Sequence, residues 1–348
     1  MWDYADVQQP KSAIIPYLIS VRLPRGPTRY FPDIDPKSVE SEIQQETSLG
    51  NDRNTEVVCK ELAAELRNRR MDFVRCWFPW NFFEPKIDSE ELDYKFPLDD
   101  FVSAMNAENI GIVAVLACGY SRFLPEGLRA DDSKVYIDRM VKMAMSVVDH
   151  YKDSVSAWQI ENEPNWWDEH YATHWRSGGM WLEPGTQELI LGALHDTVRR
   201  QDSDGTIMIN LEADNKKTNW SFYSKYCDIL GLDFYPNYMH SSPVDASELK
   251  FSSQVKKATG LPVCIAETGY PSGPSFWGYD VAKQSEYVES ACKESLACDD
   301  ITALCLWRFS DSYWESFPFQ ENYFGLLTKD GLPKPAWATY HDEIVASH

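Results

Sequence analysis

Two glutamates in this sequence each stand at the end of a short apolar run that is typical of a buried strand. Glu163 follows the run 156–162, and Glu267 ends the run 262–267. Two carboxyl groups that face one pocket can divide a reaction between them, because one protonates a departing oxygen while the other attacks the carbon or activates a water. We therefore predict that Glu163 and Glu267 form a catalytic pair, with Glu163 as the proton donor.

The elements that would position these glutamates follow a regular alternation. Short β-branched runs alternate with amphipathic helical stretches along nearly the whole chain, which predicts eight βα units and a parallel sheet. The predicted strands lie at 13–21, 72–78, 110–117, 156–162, 206–211, 228–236, 262–267 and 301–308. The 348 residues contain no Ser/Gly-rich linker, so we expect one domain over residues 1–348. The predicted fold class is α/β, a single (β/α)8 TIM barrel with extended top-face loops.

A barrel of this kind brings the strand ends together at one face. Glu163 on strand four and Glu267 on strand seven would then share the same mouth. As a nucleophile Glu267 has to be ionised, and Arg75 on strand two and Tyr235 on strand six would favour its charged form. Glu163 has to start protonated, which requires a less polar or more negative setting. Glu161 is the less suitable acid because it would lie one layer deeper, where it also offers Arg75 an alternative, structural partner.

Five features of these strands carry a resemblance to a known family. They are Asn162-Glu163-Pro164, the Glu-Thr-Gly-Tyr-Pro-Ser run at 267–272, Arg75, Tyr235 and Trp307. Together they resemble the large clan of (β/α)8 retaining glycoside hydrolases, clan A, in which the acid/base and the nucleophile end strands four and seven. The resemblance extends from strand two to strand eight, and the segment 321–336 is similar to that clan's usual ending.

The family within the clan is not resolved by these motifs. The run 267–272 is similar to that of plant-type β-1,3-glucanases, whereas the run 231–236 resembles the corresponding strand of β-1,4-galactanases. Strand six also departs from the clan's pattern, because Asp233 stands where a His is often found two residues before Tyr235. We therefore expect the hydrogen bonding beside this tyrosine to differ from that of the clan.

The resemblance implies a retaining glycoside hydrolase that cleaves β-linked glucan-, galactan- or mannan-type saccharides by double displacement. Glu163 would be the acid/base and Glu267 the nucleophile, with carboxyl groups about 5 to 5.5 Å apart, against more than about 6.5 Å in an inverting enzyme. Asn162 would hydrogen-bond the sugar 2-hydroxyl, and Trp307 would either form a platform under the reacting sugar or pack in the barrel core. The substrate-binding set would be Arg75, Asn162, Tyr235, Trp307, Trp166 and Trp167.

Three other functions remain open alternatives. A non-catalytic carbohydrate-binding barrel would keep the cleft, although such proteins usually lose one of the two glutamates. A transglycosylase would use the same residues with a sugar in place of water as the acceptor. A metal-dependent hydrolase would need His and carboxylate ligands, and the close pair His170 and His174 lacks the Glu of the zinc-protease motif. We expect neither a metal nor a cofactor.

The overall charge narrows the range of partners. Its formal value of -21 would repel phosphate backbones, so we expect no nucleic-acid partner and favour a saccharide, for which the 14% aromatic content is well suited. No run is long enough to span a bilayer, so we expect no membrane partner.

The first residues show no secretory signal, which favours the cytoplasm, or secretion if a signal was removed. The eight cysteines show no paired framework and are expected to be buried thiols, and the sequence does not indicate the oligomeric state.

Overall fold

The computed structural model of the protein describes a large part of the chain, and the statements below are confined to that part. The described residues are 18–22, 28–31, 33–34, 55–71, 73–87, 98–116, 118–120, 123–128, 132–165, 184–214, 217–311, 319–329 and 331–346. None of the helices in these ranges is long and apolar enough to cross a membrane. All eight cysteines lie in these ranges, and none of them is in a disulfide. Seven are buried and Cys298 is half-buried, as the sequence predicted.

Strands and helices alternate along the chain as the sequence pattern predicts. The strands are β1 (Leu18–Arg22), β2 (Thr28–Phe31), β3 (Asp33–Ile34), β4 (Phe73–Trp77), β5 (Gly111–Val115), β6 (Ala157–Asn162), β7 (Thr206–Glu212), β8 (Ile229–Phe234), β9 (Val263–Thr268) and β10 (Ile301–Leu306). The α-helices are α1 (Thr55–Asn68), α2 (Trp80–Phe83), α3 (Leu98–Ala107), α4 (Ser133–Tyr151), α5 (Pro184–Gln201), α6 (Trp220–Tyr223), α7 (Ser252–Thr259), α8 (Val281–Ala297) and α9 (Pro335–Ala346). Three short 3₁₀ helices lie at Ser247–Phe251, Ser275–Trp277 and Phe319–Tyr323.

Seven parallel strands, β4 to β10, follow one another in sequence order and form the main part of the sheet. The full order is β2-β1-β10-β9-β8-β7-β6-β5-β4-β3. Its two outer strands, β2 and β3, are separated in sequence by residue 32 alone, so the chain itself connects the two ends of the sheet. The two ends of the sheet also lie against each other, because β1 and β2 contact β4, as the predicted barrel with helices on its outside requires.

The first strand differs from the prediction. The run 13–21 was expected to be a parallel barrel strand, but β1 pairs antiparallel with β10, with Leu18 opposite Leu306. The parallel neighbour of β4 is instead the two-residue strand β3, with Asp33 opposite Arg75. The apolar pattern of a buried strand is the same in both directions, so the sequence indicated a strand without its orientation. Residues 13–17 lie outside the described part of the chain.

The alternation of side chains along the strands produces two cores. In β7, Ile207, Ile209 and Leu211 face the helices and belong to the large cluster between helices and sheet. Met208 points the other way, into a smaller cluster that also contains Val113 and Cys264. The second cluster therefore fills the inside of the barrel with apolar side chains of modest size.

Polar side chains replace the apolar ones toward the strand C-termini. Arg75, Gln159, Asn210 and Asp233 follow Phe73, Ala157, Met208 and Gly231 by two residues on their respective strands, so each occupies the same face. All four polar side chains are completely buried. Buried polar groups need partners, and the search for those partners leads to the candidate site.

Candidate active site

Glu267 is held by two donors from neighbouring strands. It is the second-last residue of β9 and is 4% exposed. Arg75 in β4 donates from Nη1 to Oε1 at 2.8 Å, and the hydroxyl of Tyr235, directly after β8, donates to Oε2 at 2.8 Å. A guanidinium and a phenol hydroxyl that both donate to one carboxyl group stabilise its ionised form.

Tyr235 is suited to remain a donor. The removal of water from around its hydroxyl raises the pKa of Tyr235 well above the ordinary value, and the negative charge of Glu267 raises it further. The phenol therefore keeps its proton over the range in which enzymes work. Its oxygen can only donate to the carboxylate while that proton is present.

Glu163 has a different backbone and a different setting. It comes one residue after β6, is half-buried, and has a φ of 46°, in the left-handed region that non-glycine residues rarely adopt. Its backbone N–H donates to the carbonyl oxygen of Asn210 at 3.1 Å and to its Oδ1 at 3.2 Å. Such a conformation costs about 1 to 3 kcal/mol, and residues held in it cluster at functional sites.

The carboxyl groups of Glu163 and Glu267 are close together, and a third carboxyl group joins them. One oxygen each from Glu163, Asp233 and Glu267 lie within 4.8 Å of one another. This proximity accords with the short separation of the carboxyl groups that is predicted for a retaining pair. The barrel therefore brings the two predicted glutamates together across one mouth.

Asp233 is completely buried beside these glutamates. Its Oδ2 accepts from Asn210 Nδ2 at 2.7 Å. Burial raises the pKa of Asp233 well above the ordinary value, the charges of Glu267 and Glu163 raise it further, and Arg75 opposes the shift. A carboxyl group in this setting favours its neutral form.

A network of carboxamides connects the strands below the glutamates. Asn162 Oδ1 accepts from Arg75 Nη2 at 2.6 Å and from Asn210 Nδ2 at 2.6 Å, while Asn162 Nδ2 donates to the hydroxyl of Tyr120 at 2.8 Å. Gln159 accepts from Arg75 Nε at 2.6 Å and donates to Asn210 Oδ1 at 2.6 Å. These bonds fix the orientation of the guanidinium that contacts Glu267.

Glu161 is engaged within the scaffold. It is completely buried, and its carboxylate accepts from the backbone N–H of Gly119 at 2.9 Å and from that of Asn162 at 2.8 Å. Glu161 thus attaches the turn after β5 to the end of β6. The ion pair of Arg75 is with Glu267 at 2.8 Å, which is the functional alternative that the sequence left open.

The aromatic residues of the predicted set have mixed outcomes. Trp307 directly follows β10 and is half-buried, and its backbone N–H donates to the carbonyl of Thr268 at 2.7 Å, next to Glu267. Gly269 is required at this crossing, since a Cβ there would lie 2.3 Å from the carbonyl oxygen of Trp307. Trp166 and Trp167, as well as the pair His170 and His174, lie outside the described residues.

Sequence reasoning missed three members of the site. Gln159, Asn210 and Tyr120 were not among the predicted residues, although the first two interrupt otherwise apolar strands. That interruption was the available signal, because a carboxamide inside a buried strand must find a buried partner. Asp233 was noticed only as a departure from the clan's pattern.

The three clustered carboxyl groups also have a spacing that could suit a cation. Among the described residues, these three are the group of His, Cys, Asp or Glu side chains that lie close enough together to hold a metal ion. Glu267 is already neutralised by Arg75, and the preference of Asp233 for its proton further reduces the charge available to a metal. The residues fit a proton site better than a metal site, and the expectation of no metal stays a prediction.

Solved glycoside hydrolases share this fold. A GH5_18 protein from Streptomyces cattleya, in complex with GlcNAc, matches with a TM-score of 0.71 and 14% identity, over 84% of this chain and 75% of that one. A second structure from that organism, in complex with Manb1-4GlcNAc, gives 0.69 and 14%, over 83% and 75%. The apo structure of a beta-glucosidase gives 0.64 and 15%, over 84% of this chain and 89% of that one.

The chain therefore has the (β/α)8 fold of clan A glycoside hydrolases, which confirms the fold that the strand-end motifs predicted. At identities this low the likeness concerns the fold. No protein-family model matches the chain, and no curated protein matches it. What the site does has to be argued from its own residues.

Proposed function

We propose that this protein is a retaining glycoside hydrolase acting on β-linked saccharides of the glucan, galactan or mannan type. The observation that carries the proposal is the pairing of Glu163 and Glu267, whose carboxyl oxygens approach within 4.8 Å in different surroundings. One is held by a guanidinium and a phenol, whereas the other lies beside a carboxyl group. This is the asymmetry that a nucleophile and an acid/base require.

The reaction has two steps. In the first, Glu267 attacks the anomeric carbon while Glu163 gives its proton to the departing oxygen, so the glycosidic bond breaks and a covalent glycosyl–Glu267 ester forms. In the second, the carboxylate of Glu163 takes a proton from water, whose oxygen attacks the anomeric carbon and releases Glu267. The configuration at the anomeric carbon is retained because it inverts twice.

Other residues would bind and orient the sugar. Asn162 is 3% exposed and has its oxygen occupied by Arg75 and Asn210, so any contact with the 2-hydroxyl would involve its amide nitrogen. Trp307 would offer its half-buried ring, and Trp166 and Trp167 stay predicted subsite residues. The structures with GlcNAc and Manb1-4GlcNAc make β-mannosides a useful part of the substrate panel.

The test combines a substrate panel with two glutamate variants. The wild-type protein is assayed on aryl β-glycosides and β-linked oligosaccharides, and NMR follows the anomer released first. We expect E267A to abolish hydrolysis, and azide or formate to restore turnover of an activated aryl glycoside with product of the opposite configuration. We expect E163A to lose activity mainly on substrates with poor leaving groups, since good ones need little protonation.

The matched control is E126A, which removes a glutamate that is 74% exposed and pairs only at the surface with Lys86. Its activity should equal that of the wild type. Full activity in E267A, or equal losses of E163A on both kinds of substrate, would contradict the assigned roles. Binding of saccharides without any turnover would favour the carbohydrate-binding alternative, and transfer to added sugar acceptors would favour the transglycosylase.

A further inference from the structure

Only one of the two carboxyl oxygens of Asp233 has a donor as its partner. Oδ2 is satisfied by Asn210, but Oδ1 is buried and receives no N–H or hydroxyl donor. One carboxyl oxygen of Asp233 and one of Glu163 lie within 4.8 Å of each other, and Glu163 is among the groups that raise the pKa of Asp233. Two ionised carboxylates only accept, so a hydrogen bond between them requires a proton on one of the two.

The charged groups around Asp233 indicate which of the two carboxyl groups keeps that proton. Glu163 faces it from the end of β6, Glu267 from β9 and Arg75 from β4, while Tyr235 comes directly after β8. Arg75 is engaged by Glu267, so its charge is largely compensated. Asp233 is completely buried, whereas Glu163 is half-buried and nearer to water. The charged form is more costly for the more deeply buried group.

We propose that Asp233 is a neutral carboxylic acid that donates its O–H to Glu163 and acts as a positioning residue for the acid/base. Its effect on catalysis rests on the proposed hydrolase function, because Asp233 touches Glu163 and not the reacting atoms. A buried carboxylic acid that is kept protonated in order to donate a hydrogen bond is a known pattern in enzyme sites.

The protons balance through the cycle. Glu163 gives its own proton to the departing oxygen, and the carboxylate left behind accepts the O–H of Asp233. In the second step Glu163 regains a proton from the attacking water. Asp233 keeps its proton throughout, and its hydrogen bond becomes charge-assisted only while Glu163 is ionised. The interaction is therefore stronger in the transition state than in the resting enzyme, which is the condition for accelerating the reaction.

Two substitutions at this position separate hydrogen bonding from packing. In D233N the amide oxygen still accepts from Asn210 and the amide nitrogen can donate to Glu163, whereas D233A removes both interactions. We expect D233A to lower kcat/KM about 10- to 100-fold on unactivated oligosaccharides, the worth of a hydrogen bond to a charged group. The loss should be much smaller on activated aryl glycosides, and D233N should recover most of it.

An infrared measurement tests the proton directly and needs no substrate. With 13C-labelled aspartate, the wild-type protein at neutral pH should show the C=O band of a protonated carboxyl group, and D233N should lack it. The band should shift in E163Q, because the acceptor of the O–H changes from a carboxyl group to an amide. The control D138A removes an aspartate that is 64% exposed and should leave both the band and the activity as in the wild type.

The outcomes distinguish this inference from the proposed function. A band that is lost in D233N, in a protein with no glycosidase activity, would support the proton site and contradict the hydrolase. Glycosidase activity without the band would overturn the neutral Asp233. Equal losses for D233N and D233A on both substrate classes would also overturn it. Activity that depends on a divalent cation removable by a chelator would do the same, because a cation requires the carboxyl groups to be ionised.

Discussion

At the scale of single residues, Glu163 and Glu267 have the same side chain and differ only in what surrounds it. Glu267 accepts from Arg75 and Tyr235, each at 2.8 Å. Glu163 lies beside Asp233, whose pKa is raised well above the ordinary value by burial. The difference in chemistry that we propose for the two glutamates therefore comes from their surroundings, two donors at Glu267 and a carboxyl group at Glu163, and not from the glutamates themselves.

The phenol of Tyr235 provides a prediction at this scale. Y235F removes one of the donors that stabilise the charge of Glu267 and keeps the ring. We expect kcat/KM to fall about 10- to 100-fold, because a hydrogen bond to a charged group is worth about 1.5 to 3 kcal/mol. Steady-state kinetics on an activated aryl glycoside measures the effect while the need for the proton of Glu163 is small.

The matched control is Y226F. Tyr226 also donates to a glutamate, with its hydroxyl 3.2 Å from Oε1 of Glu188, but this pair is exposed and lies between α5 and the start of β8. Its removal should leave kcat/KM unchanged. If Y235F and Y226F had the same small effect, the hydrogen bond of Tyr235 would have no part in the chemistry.

At the scale of the elements, the strands bring the site together through their alternation and their register. Asn210 lies opposite Asn162 on β6 and opposite Gly231 on β8, so its amide can reach both Asn162 and Asp233. The glutamates could be predicted because they end strands in strong local motifs. Asn210 and Gln159 could not, since their role depends on the register between strands, which the sequence of one strand does not contain.

Helix α8 supports the strand that carries Glu267. Tyr287 of this helix shares a hydrogen bond of 2.5 Å with Thr268, and Gln284 donates to the carbonyl of Tyr270 at 3.0 Å. The helix begins after Asp280, whose side chain accepts from the backbone N–H of Lys283 at 2.8 Å. This is an N-cap, which satisfies one of the donors that a helix start leaves without an intrahelical partner.

The cap provides a prediction at the scale of the element. D280A should lower the free energy of unfolding by about 1 kcal/mol, and the melting temperature by about 1 to 2 °C for a chain of this size. D280N should restore most of it, because Asn is an equally good N-cap. Calorimetry gives both values, and kcat should stay unchanged. A loss of stability in D280N as large as in D280A would show that the charge and not the cap matters.

At the scale of the whole molecule, the alternation of strands and helices was sufficient to predict the barrel but not its closure. Seven parallel strands appear where the pattern placed them. The closing strands are β1 to β3, which are short, and β1 runs antiparallel to β10. Closure depends on contacts between the two ends of the chain, and local periodicity has no information about partners so distant in sequence.

The charge of the whole molecule contrasts with the neutrality of its site. The formal net charge is -21, so the surface repels anions and the exposed carboxylates repel one another. The ion pair of Arg75 and Glu267 is shielded from solvent, with side-chain exposures of 0% and 5%. Salt screens exposed charges over about 10 Å at 0.1 M, but it screens a buried pair much less.

Because of this contrast, we expect salt to act differently on the stability of the protein, on the turnover of a neutral substrate and on the turnover of an anionic one. Raising NaCl from about 10 mM to about 0.5 M should increase the melting temperature, because the repulsion between surface carboxylates is screened. For a neutral aryl β-glycoside, kcat/KM should stay within about twofold, since the buried pair is little affected. For the matched aryl β-glycuronide, which is anionic, any turnover should increase several-fold as the repulsion of the substrate is screened. A large fall in kcat/KM for the neutral substrate, at constant melting temperature, would mean that the ion pair at the nucleophile is accessible to salt, contrary to its burial.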